Sequence, residues 1–316
     1  MGEKAVPLTQ RVLKTAGLII LLVALFSLLT GCQNQNKDAS PAVNGIATES
    51  TGPENVNSGG EPDTLTITGS GVEHETRFTL DELKSMENAL SGACYSAVNN
   101  WPSKKFIVGK GVKVSYLLQT AGIKEDAQTI IFRAADGYKA VFTREQLEEK
   151  RFYFPNLMKD STEGAVEVPP ILAWEYKEDT REIKDAVIDK LRLLLGQTTL
   201  NEVTTAAFVK GVTTIEVLTD PPGRWSTVRA EPAPGKVKPG TEVVLSHPEE
   251  DLVKIYYTLD GSEPDRQSLI YNPSTSYFRP ELNKPITVEK TVTIKAFAAG
   301  FGKHDSQVAT FRYECE

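Results

Sequence analysis

The sequence of 316 residues has few of the side chains that most often build metal and nucleophilic centres. It contains three cysteines and three histidines, and the histidines (His74, His247 and His304) lie in unlike segments. It has no HExxH motif, no paired-cysteine zinc spacing, and no GxGxxG or GxxxxGK[ST] sequence. The sequence therefore argues against a histidine-dependent hydrolase, a zinc site and a nucleotide-binding loop.

The sequence also has fewer basic than acidic residues, and its long hydrophobic runs are few. The 35 Lys and Arg residues are outnumbered by 42 Asp and Glu, which gives a net charge of −7. Nucleic-acid binding depends on Lys and Arg that neutralise phosphates, so nucleic acid is excluded as an expected partner. The main uncharged, largely apolar run, residues 17–29, is shorter than the roughly 20 residues of a membrane-spanning helix and matches the core of a secretion signal.

Three basic residues precede this run, and Leu29-Thr30-Gly31-Cys32 follows it. This segment resembles the lipobox of bacterial lipoproteins, in which the cysteine is alkylated by diacylglycerol and the chain is cut just before it. The resemblance implies a signal peptide at residues 1–31, lipidation at Cys32, and an extracytoplasmic protein anchored to the cell membrane. An ordinary secretion signal with an incidental cysteine is the alternative. Each buried methylene contributes about 0.8 kcal/mol, so two or more acyl chains hold a protein stably.

Composition divides the remaining chain into three parts. Residues 32–62 are rich in small and polar residues without hydrophobic periodicity, which predicts a flexible tether. Residues 63–222 mix strand and helix patterns and predict an α+β domain, which ends at a Pro-rich turn. Residues 223–316 contain short alternating strands separated by turns, which predicts an all-β, immunoglobulin-like sandwich.

Local patterns predict individual elements. Predicted strands are 64–68, 129–134, 171–174, 191–195, 207–210 and 214–218. Three helices are predicted: one begins near Thr79, and the other two span 112–121 and 143–150. Thr79 and Thr143 are the predicted N-caps. Gly109-Lys110-Gly111 is interpreted as a turn. In the sandwich, two sets of alternating residues are each predicted to share one strand face: Val253, Ile255 and Tyr257, and Val292, Ile294 and Ala296.

Five segments of the α+β region carry a family resemblance: Phe78–Leu83, Gly111–Gly122, Phe132–Tyr138, Leu191–Gln197 and Phe208–Val212. Together they resemble the molybdopterin-binding domain of the sulfite oxidase family, over residues 63–219. In that family a cysteine thiolate binds molybdenum beside the pterin sulfurs, so the resemblance implies Cys94 as a candidate ligand and molybdopterin as a candidate cofactor. The alternative is that Cys94 is a small buried hydrophobic residue, because its surroundings depart from the patterns of the active enzymes.

Other cofactor contacts are not assigned. His74, Arg144 and Arg151 fit no pattern for gripping a pterin phosphate, and no metal ligand is predicted firmly. Arg133 and Tyr138 flank a turn at the end of a strand, so they are candidates for lining a cleft; packing and surface roles are the alternative. Cys94 and Cys315 remain open between free thiols and a disulfide.

The C-terminal region has its own motif, Ile255-Tyr256-Tyr257-Thr258-Leu259-Asp260-Gly261-Ser262-Glu263-Pro264. It resembles the chitobiase C-terminal type of β-sandwich, which is often attached to carbohydrate-active enzymes. Asp260-Gly261 is predicted to form a hairpin turn. Nearby carboxylates of Asp260, Glu263 and Asp265 lack the ordered spacing of a calcium loop.

Three functions fit these observations. The favoured hypothesis is a lipid-anchored protein whose molybdopterin-binding-like domain is a non-catalytic binding module, with the sandwich as an accessory or spacer domain and a cell-wall glycan or envelope component as partner. The alternatives are a molybdopterin-dependent oxidoreductase using Cys94, and a structural cell-envelope protein. Family members that work outside the cell generally leave it folded by a twin-arginine route, and Gln10-Arg11-Val12 lacks the second arginine.

Overall fold

The computed structural model describes residues 64–100, 103–274 and 280–316. The predicted signal peptide, the tether and Cys32 lie outside the described residues. Strands dominate this part of the chain, and its helices are few and short. No helix among the described residues has both the length and the apolar character needed to cross a membrane. All described residues belong to one compact unit.

The N-terminal region (residues 64–222) contains eleven strands and three α-helices. The strands are β1 (Thr64–Thr68), β2 (Thr76–Thr79), β3 (Leu90–Val98), β4 (Lys104–Lys113), β5 (Thr129–Ala134), β6 (Lys139–Thr143), β7 (Phe152–Tyr153), β8 (Val166–Glu167), β9 (Ile171–Glu178), β10 (Val187–Leu194) and β11 (Val212–Leu218). The helices are α1 (Leu80–Lys84), α2 (Val114–Thr120) and α3 (Arg144–Glu148).

Two larger sheets form most of this region, and β7 and β8 pair as a separate two-stranded antiparallel sheet. The first has the order β2-β1-β11-β5-β6, with β1 and β11 parallel and the other neighbours antiparallel. The second has the order β10-β9-β4-β3 and is antiparallel throughout. Buried residues of both sheets share one apolar core, for example Ile67 and Ile215 from the first and Ile107 and Leu193 from the second. Because β1 pairs with β11, the first and last strands of the region are neighbours in the first sheet.

Two threonines start helices as predicted. Thr79 accepts a hydrogen bond from the Glu82 amide, and the Glu82 carboxylate accepts one from the Thr79 amide in return. Thr143 and Gln146 form the same reciprocal pair at the start of α3. Each pair satisfies amides that the first helical turn leaves without partners. The predicted caps and the strands at 64–68 and 129–134 are confirmed.

Two predicted elements are wrong. Gly109-Lys110-Gly111 lies inside β4, where the register to β9 shifts between Lys110 and Gly111. A Cβ at Gly111 would stand 2.1 Å from the Leu172 carbonyl oxygen, so glycine here permits close strand approach. Residues 207–210 form no strand; a short 3₁₀ turn at Thr205–Ala207 precedes an irregular segment. The turn allows Phe208 to reach the core without extended pairing.

The C-terminal region (residues 223–316) is built almost entirely from short strands. They are β12 (Arg229–Glu231), β13 (Gly235–Val237), β14 (Thr241–Ser246), β15 (Lys254–Thr258), β16 (Leu269–Tyr271), β17 (Ile286–Val288), β18 (Val292–Ala299) and β19 (Ala309–Cys315), with one helical turn, α4 (Pro280–Asn283), before β17. A three-stranded sheet, β12-β14-β17, faces a five-stranded sheet, β13-β19-β18-β15-β16, and both contribute to one apolar core. The predicted β-sandwich is confirmed.

Alternation along β15 and β18 gives the larger sheet two different faces. Ile255 and Ile294 point into the sandwich core, as predicted, whereas Tyr256 and Phe297 belong to a separate cluster on the opposite face. Successive side chains of a strand point to opposite faces, so the residues of this second set face away from the sandwich core. This outer face contributes to the cavity described next.

Candidate functional site

A cavity of about 400 Å³ lies between the two regions. Its polar lining from the N-terminal region includes Asn100, Tyr138, Lys139, Gln146, Glu149, Arg151 and Glu202, and from the C-terminal region Asp251, Lys254, Tyr256 and Arg266. Small apolar residues such as Ala140, Val203 and Ala299 line the rest. Concave sites of this size are typical of small-molecule binding.

The loop of residues 300–303, which follows β18, connects the two regions beside the cavity. The Gln146 amide nitrogen donates to the carbonyls of Gly300 at 2.8 Å and Lys303 at 3.3 Å. Its amide oxygen accepts from the Gly302 amide at 2.9 Å and from the Thr143 amide at 3.0 Å. One side chain therefore both caps α3 and fastens the C-terminal region to the N-terminal region.

Phe301, at the tip of this loop, packs into the N-terminal region. Its ring lies 5.1 Å from the Phe142 ring and 5.2 Å from the Arg151 guanidinium carbon, measured to the ring centroids. Gly302 has φ +86, and a Cβ there would stand 3.0 Å from the Val141 side chain. Glycine is therefore required at position 302, because it adopts the positive φ readily and leaves room for the Val141 side chain.

Arg151 forms the floor of the cavity on the N-terminal side, and its side chain is fully buried. The guanidinium donates to the Gln146 and Gly196 carbonyls, both at 3.0 Å. It also pairs with Glu149 at 2.6 Å and with both oxygens of Glu202 at 3.1 and 3.2 Å. A buried charge is tolerated when it is paired and hydrogen-bonded in this way.

The two carboxylates differ in their surroundings. Glu202 also accepts a hydrogen bond from the Thr198 amide at 2.6 Å, which fixes it in the loop after β10. Burial raises the pKa of the Glu149 carboxyl above its usual value, while the Arg151 guanidinium acts in the opposite direction. Two carboxyl groups therefore share one guanidinium at this part of the cavity wall.

Strand alternation supplies the C-terminal wall. Lys254 and Tyr256 lie on the outer face of β15, and the Tyr256 ring stacks on Phe297 at 5.4 Å. Arg266 lies 5.6 Å from the centroid of the Tyr256 ring and donates to the Asp305 carboxylate at 2.7 Å. The Lys254 ammonium donates to the Asn100 amide oxygen at 3.3 Å, which joins the two walls.

The structure separates the two predicted cleft residues. Tyr138 lines the cavity, and its hydroxyl donates to the Ala206 carbonyl at 2.5 Å. Arg133 lies in β5 and pairs with Glu216 of β11, with its two nitrogens 2.9 and 2.5 Å from one carboxylate oxygen. It does not line the cavity.

Cys94 lies in β3 and packs beside a small apolar cluster that includes Phe106 and Phe154. Burial raises the pKa of its thiol, whereas molybdenum binding requires the thiolate. The neighbouring cation, Arg181, stacks over the Phe106 ring at 3.9 Å. Cys94 also stands outside the lining of the cavity. Without a metal, these surroundings favour the neutral thiol of Cys94.

The other candidates make local contacts. His74 is exposed beside Glu73, and both Cys94 and Cys315 are free thiols. Asp260 accepts two hydrogen bonds from Ser262, and Asp265 accepts one each from Gln267 and Ser268, all within their own turns. Within residues 64–100, 103–274 and 280–316, no cluster of three His, Cys, Asp or Glu side chains is arranged to hold a metal ion.

Sequence analysis did not single out the groups that dominate the cavity. Arg151 follows α3 without a motif, and Glu202 and Lys254 come from distant segments. One signal was available: with Ile255 and Tyr257 predicted to face the sandwich core, Tyr256 and Lys254 had to face outwards. A large aromatic residue beside a lysine on the outer face indicates a second buried surface there.

Comparison with known proteins identifies the C-terminal region. Residues 232–310 match the Chitobiase/beta-hexosaminidase C-terminal domain family, which confirms the resemblance found in the sequence. No curated protein matches the chain. Among solved structures, the sulfane dehydrogenase SoxCD of Paracoccus pantotrophus is 13% identical over 79% of this chain and 75% of its own, with a TM-score of 0.33. The glycoside hydrolase domain of Endo-D from Streptococcus pneumoniae is 12% identical over 70% and 32%, with a TM-score of 0.21. Neither likeness carries an argument about activity.

Proposed function

We propose that this protein is a lipid-anchored, extracytoplasmic binding protein that holds a small polar ligand in the cavity between its two regions, without catalysing a reaction on it. The observation that carries the proposal is the cavity itself, about 400 Å³ in volume and lined by both regions. Its volume falls within the range of small-molecule sites. The N-terminal region, which resembles the molybdopterin-binding fold, then serves as a binding module.

The lining favours a ligand with many hydroxyl groups, such as a fragment of a cell-wall glycan. Cations and carboxylates are present in similar numbers, which disfavours a ligand of high charge. Amide, carboxylate and guanidinium groups offer paired donors and acceptors, and the Tyr256 and Phe301 rings offer apolar surface. The matched C-terminal region is named for chitobiase and beta-hexosaminidase, which agrees with a saccharide ligand.

Calorimetric titration of the detergent-extracted full chain with cell-wall glycan fragments tests this proposal. Ala206 is exposed and lines the cavity, so Ala206→Trp fills the cavity and is expected to abolish binding. Ala165→Trp adds the same side chain at an exposed position that does not line the cavity, and binding is expected to persist. If no glycan or envelope extract shows binding that depends on Ala206, a structural envelope role replaces this proposal.

The lipid anchor at Cys32 is tested separately. Cells grown with labelled palmitate are expected to incorporate the label into the wild-type chain, which sediments with membranes. Cys32→Ala is expected to lose the label and the sedimentation, whereas Cys94→Ala is expected to keep both. A labelled, sedimenting Cys32→Ala chain would show that the anchor lies elsewhere.

The molybdenum oxidoreductase alternative would need Cys94 as a thiolate, whereas burial raises the pKa of its thiol. Elemental analysis of protein purified from its native membrane is expected to find no molybdenum. Near-stoichiometric molybdenum that disappears in Cys94→Ala would replace the binding proposal with the oxidoreductase.

A further inference from the structure

The cavity contains a primary amine that is almost withdrawn from solvent. Lys254 begins β15 and is 9% exposed, and the alternation of β15 directs it away from the sandwich core. Its ammonium donates to Asn100 at 3.3 Å, and both residues line the cavity. A ligand in the cavity would therefore meet the amine directly.

The charged groups that line the same cavity come from both regions. Arg151, with Glu149 and Glu202, lines the N-terminal side. Asp251, which accepts a hydrogen bond from the Ser274 hydroxyl, lies on the turn before β15.

Arg266 completes the wall and pairs with Asp305. Burial lowers the pKa of Lys254 to about 8, and the carboxylate of Asp251 acts in the opposite direction. At neutral pH a useful fraction of this amine is therefore unprotonated, which is the form that attacks carbonyl carbon.

We propose that Lys254 captures a ligand carrying an aldehyde or ketone group as a reversible imine within the cavity. The unprotonated amine adds to the carbonyl carbon, and the carbonyl oxygen leaves as water with the two amine protons as the C=N bond forms. No oxidant or reductant is needed, and water reverses the step. Open-chain reducing sugars belong to this ligand class, so the inference rests on the proposed function for the location of the ligand.

Reductive trapping tests the inference on the full chain. The protein is incubated with glycolaldehyde and sodium cyanoborohydride, and the modified lysines are located by peptide mass spectrometry. With a pKa of about 8 against an ordinary 10.5, Lys254 has roughly 300-fold more neutral amine at pH 7 than an unperturbed lysine. We expect labelling at Lys254 to exceed that at Lys139, an exposed lysine of the same cavity, by at least about tenfold.

The pH profile gives a second readout. Labelling of Lys254 is expected to level off above about pH 8, following its own ionisation. Lys254→Arg should remove the dominant adduct while keeping a long cationic side chain, and Lys139→Arg should retain it. Equal labelling of Lys254 and Lys139 in the folded wild-type protein would overturn the inference, and this comparison requires no variant.

Failure of the trapping experiment can be distinguished from failure of the glycan-binding experiment. Selective trapping at Lys254 without any glycan binding would keep the imine inference and reject a glycan as ligand. Glycan binding that depends on Ala206, without selective trapping, would keep the binding proposal and reject covalent capture by Lys254.

Discussion

Each of the two walls of the cavity contributes one buried cation, and the surroundings of the two cations differ. Arg151 of the N-terminal region is surrounded by two carboxylates and two carbonyl oxygens. Lys254 of the C-terminal region has an amide oxygen of Asn100 and a neighbouring Asp251, and its pKa is lowered to about 8. Arg151 is therefore held in its charged form as part of the framework of the fold, whereas burial favours the neutral, nucleophilic form of Lys254.

Arg151→Met is expected to have the largest effect on stability. The substitution keeps an unbranched apolar side chain but leaves Glu202, which is 11% exposed, without its partner cation. Removing one member of a buried pair costs about 3 to 5 kcal/mol, so we expect a loss of this size in urea unfolding.

Arg133→Met is the matched control, because it also removes an arginine paired with a glutamate in the N-terminal region. The Arg133–Glu216 pair is partly exposed, with side chains 41% and 29% exposed. A loss below about 1 kcal/mol is expected. Equal losses for Arg133→Met and Arg151→Met would contradict a framework role for Arg151.

The contribution of Lys254 to stability can be measured as the pH dependence of the unfolding free energy. Below pH 8 Lys254 is protonated in both folded and unfolded states, and between about 8 and 10.5 the unfolded state alone retains the proton. The unfolding free energy contributed by Lys254 therefore rises across this window, by up to about 3 kcal/mol. In urea unfolding, Lys254→Met is expected to remove this rise and Lys139→Met to keep it. A rise that survives in Lys254→Met would assign it to another group.

Phe301→Ala tests whether the two regions depend on one another. The substitution removes the ring that contacts Phe142 and Arg151, and a partly buried phenylalanine is expected to contribute about 2 kcal/mol. Calorimetry is expected to show one transition for the wild-type unit and two for the variant. Leu259→Ala, at a residue 40% exposed on the sandwich, should change stability by less than about 0.5 kcal/mol. A single unshifted transition in Phe301→Ala would show that the loop does not couple the regions.

The smallest effect is expected for the helix caps. Gln146→Ala removes a cap and the bonds to the 300–303 loop, and about 1 to 2 kcal/mol is expected from thermal unfolding. Glu82→Ala removes the equivalent residue of the other capping box, which has no contact of this kind with the C-terminal region, so a smaller loss is expected. A larger loss for Glu82→Ala would show that Gln146 acts only as a cap.

Elements with local causes were predictable from the sequence. Thr79 and Thr143 cap helices through residues three positions ahead, and residues 129–134 form an unbroken apolar strand. The interpretation of Gly109-Lys110-Gly111 failed because turns and crowded strands both select glycine. Only the approach of β9 distinguishes them, through the Leu172 carbonyl that excludes a Cβ at Gly111.

The cavity was less predictable, because its groups meet only after the two regions dock. Asn100 and Lys254 are 154 positions apart, and neither carries a motif. Burial of Arg151 depends on the 300–303 loop, whose sequence Gly-Phe-Gly-Lys suggests an ordinary exposed turn. Tyr138 and Arg133 flank the same turn, yet only Tyr138 lines the cavity, because Arg133 pairs with Glu216 of the neighbouring strand β11.

The double role of Gln146 also bears on how such chains evolve. A β-sandwich can recombine as a module between genes only if the domain it is attached to folds without it. Here the amide that starts α3 also binds Gly300, Gly302 and Lys303. Losing the sandwich would expose Phe142 and Arg151, and a substitute module would have to reproduce the loop. We therefore expect the two regions to be inherited together, with Gln146 and the loop varying as a pair.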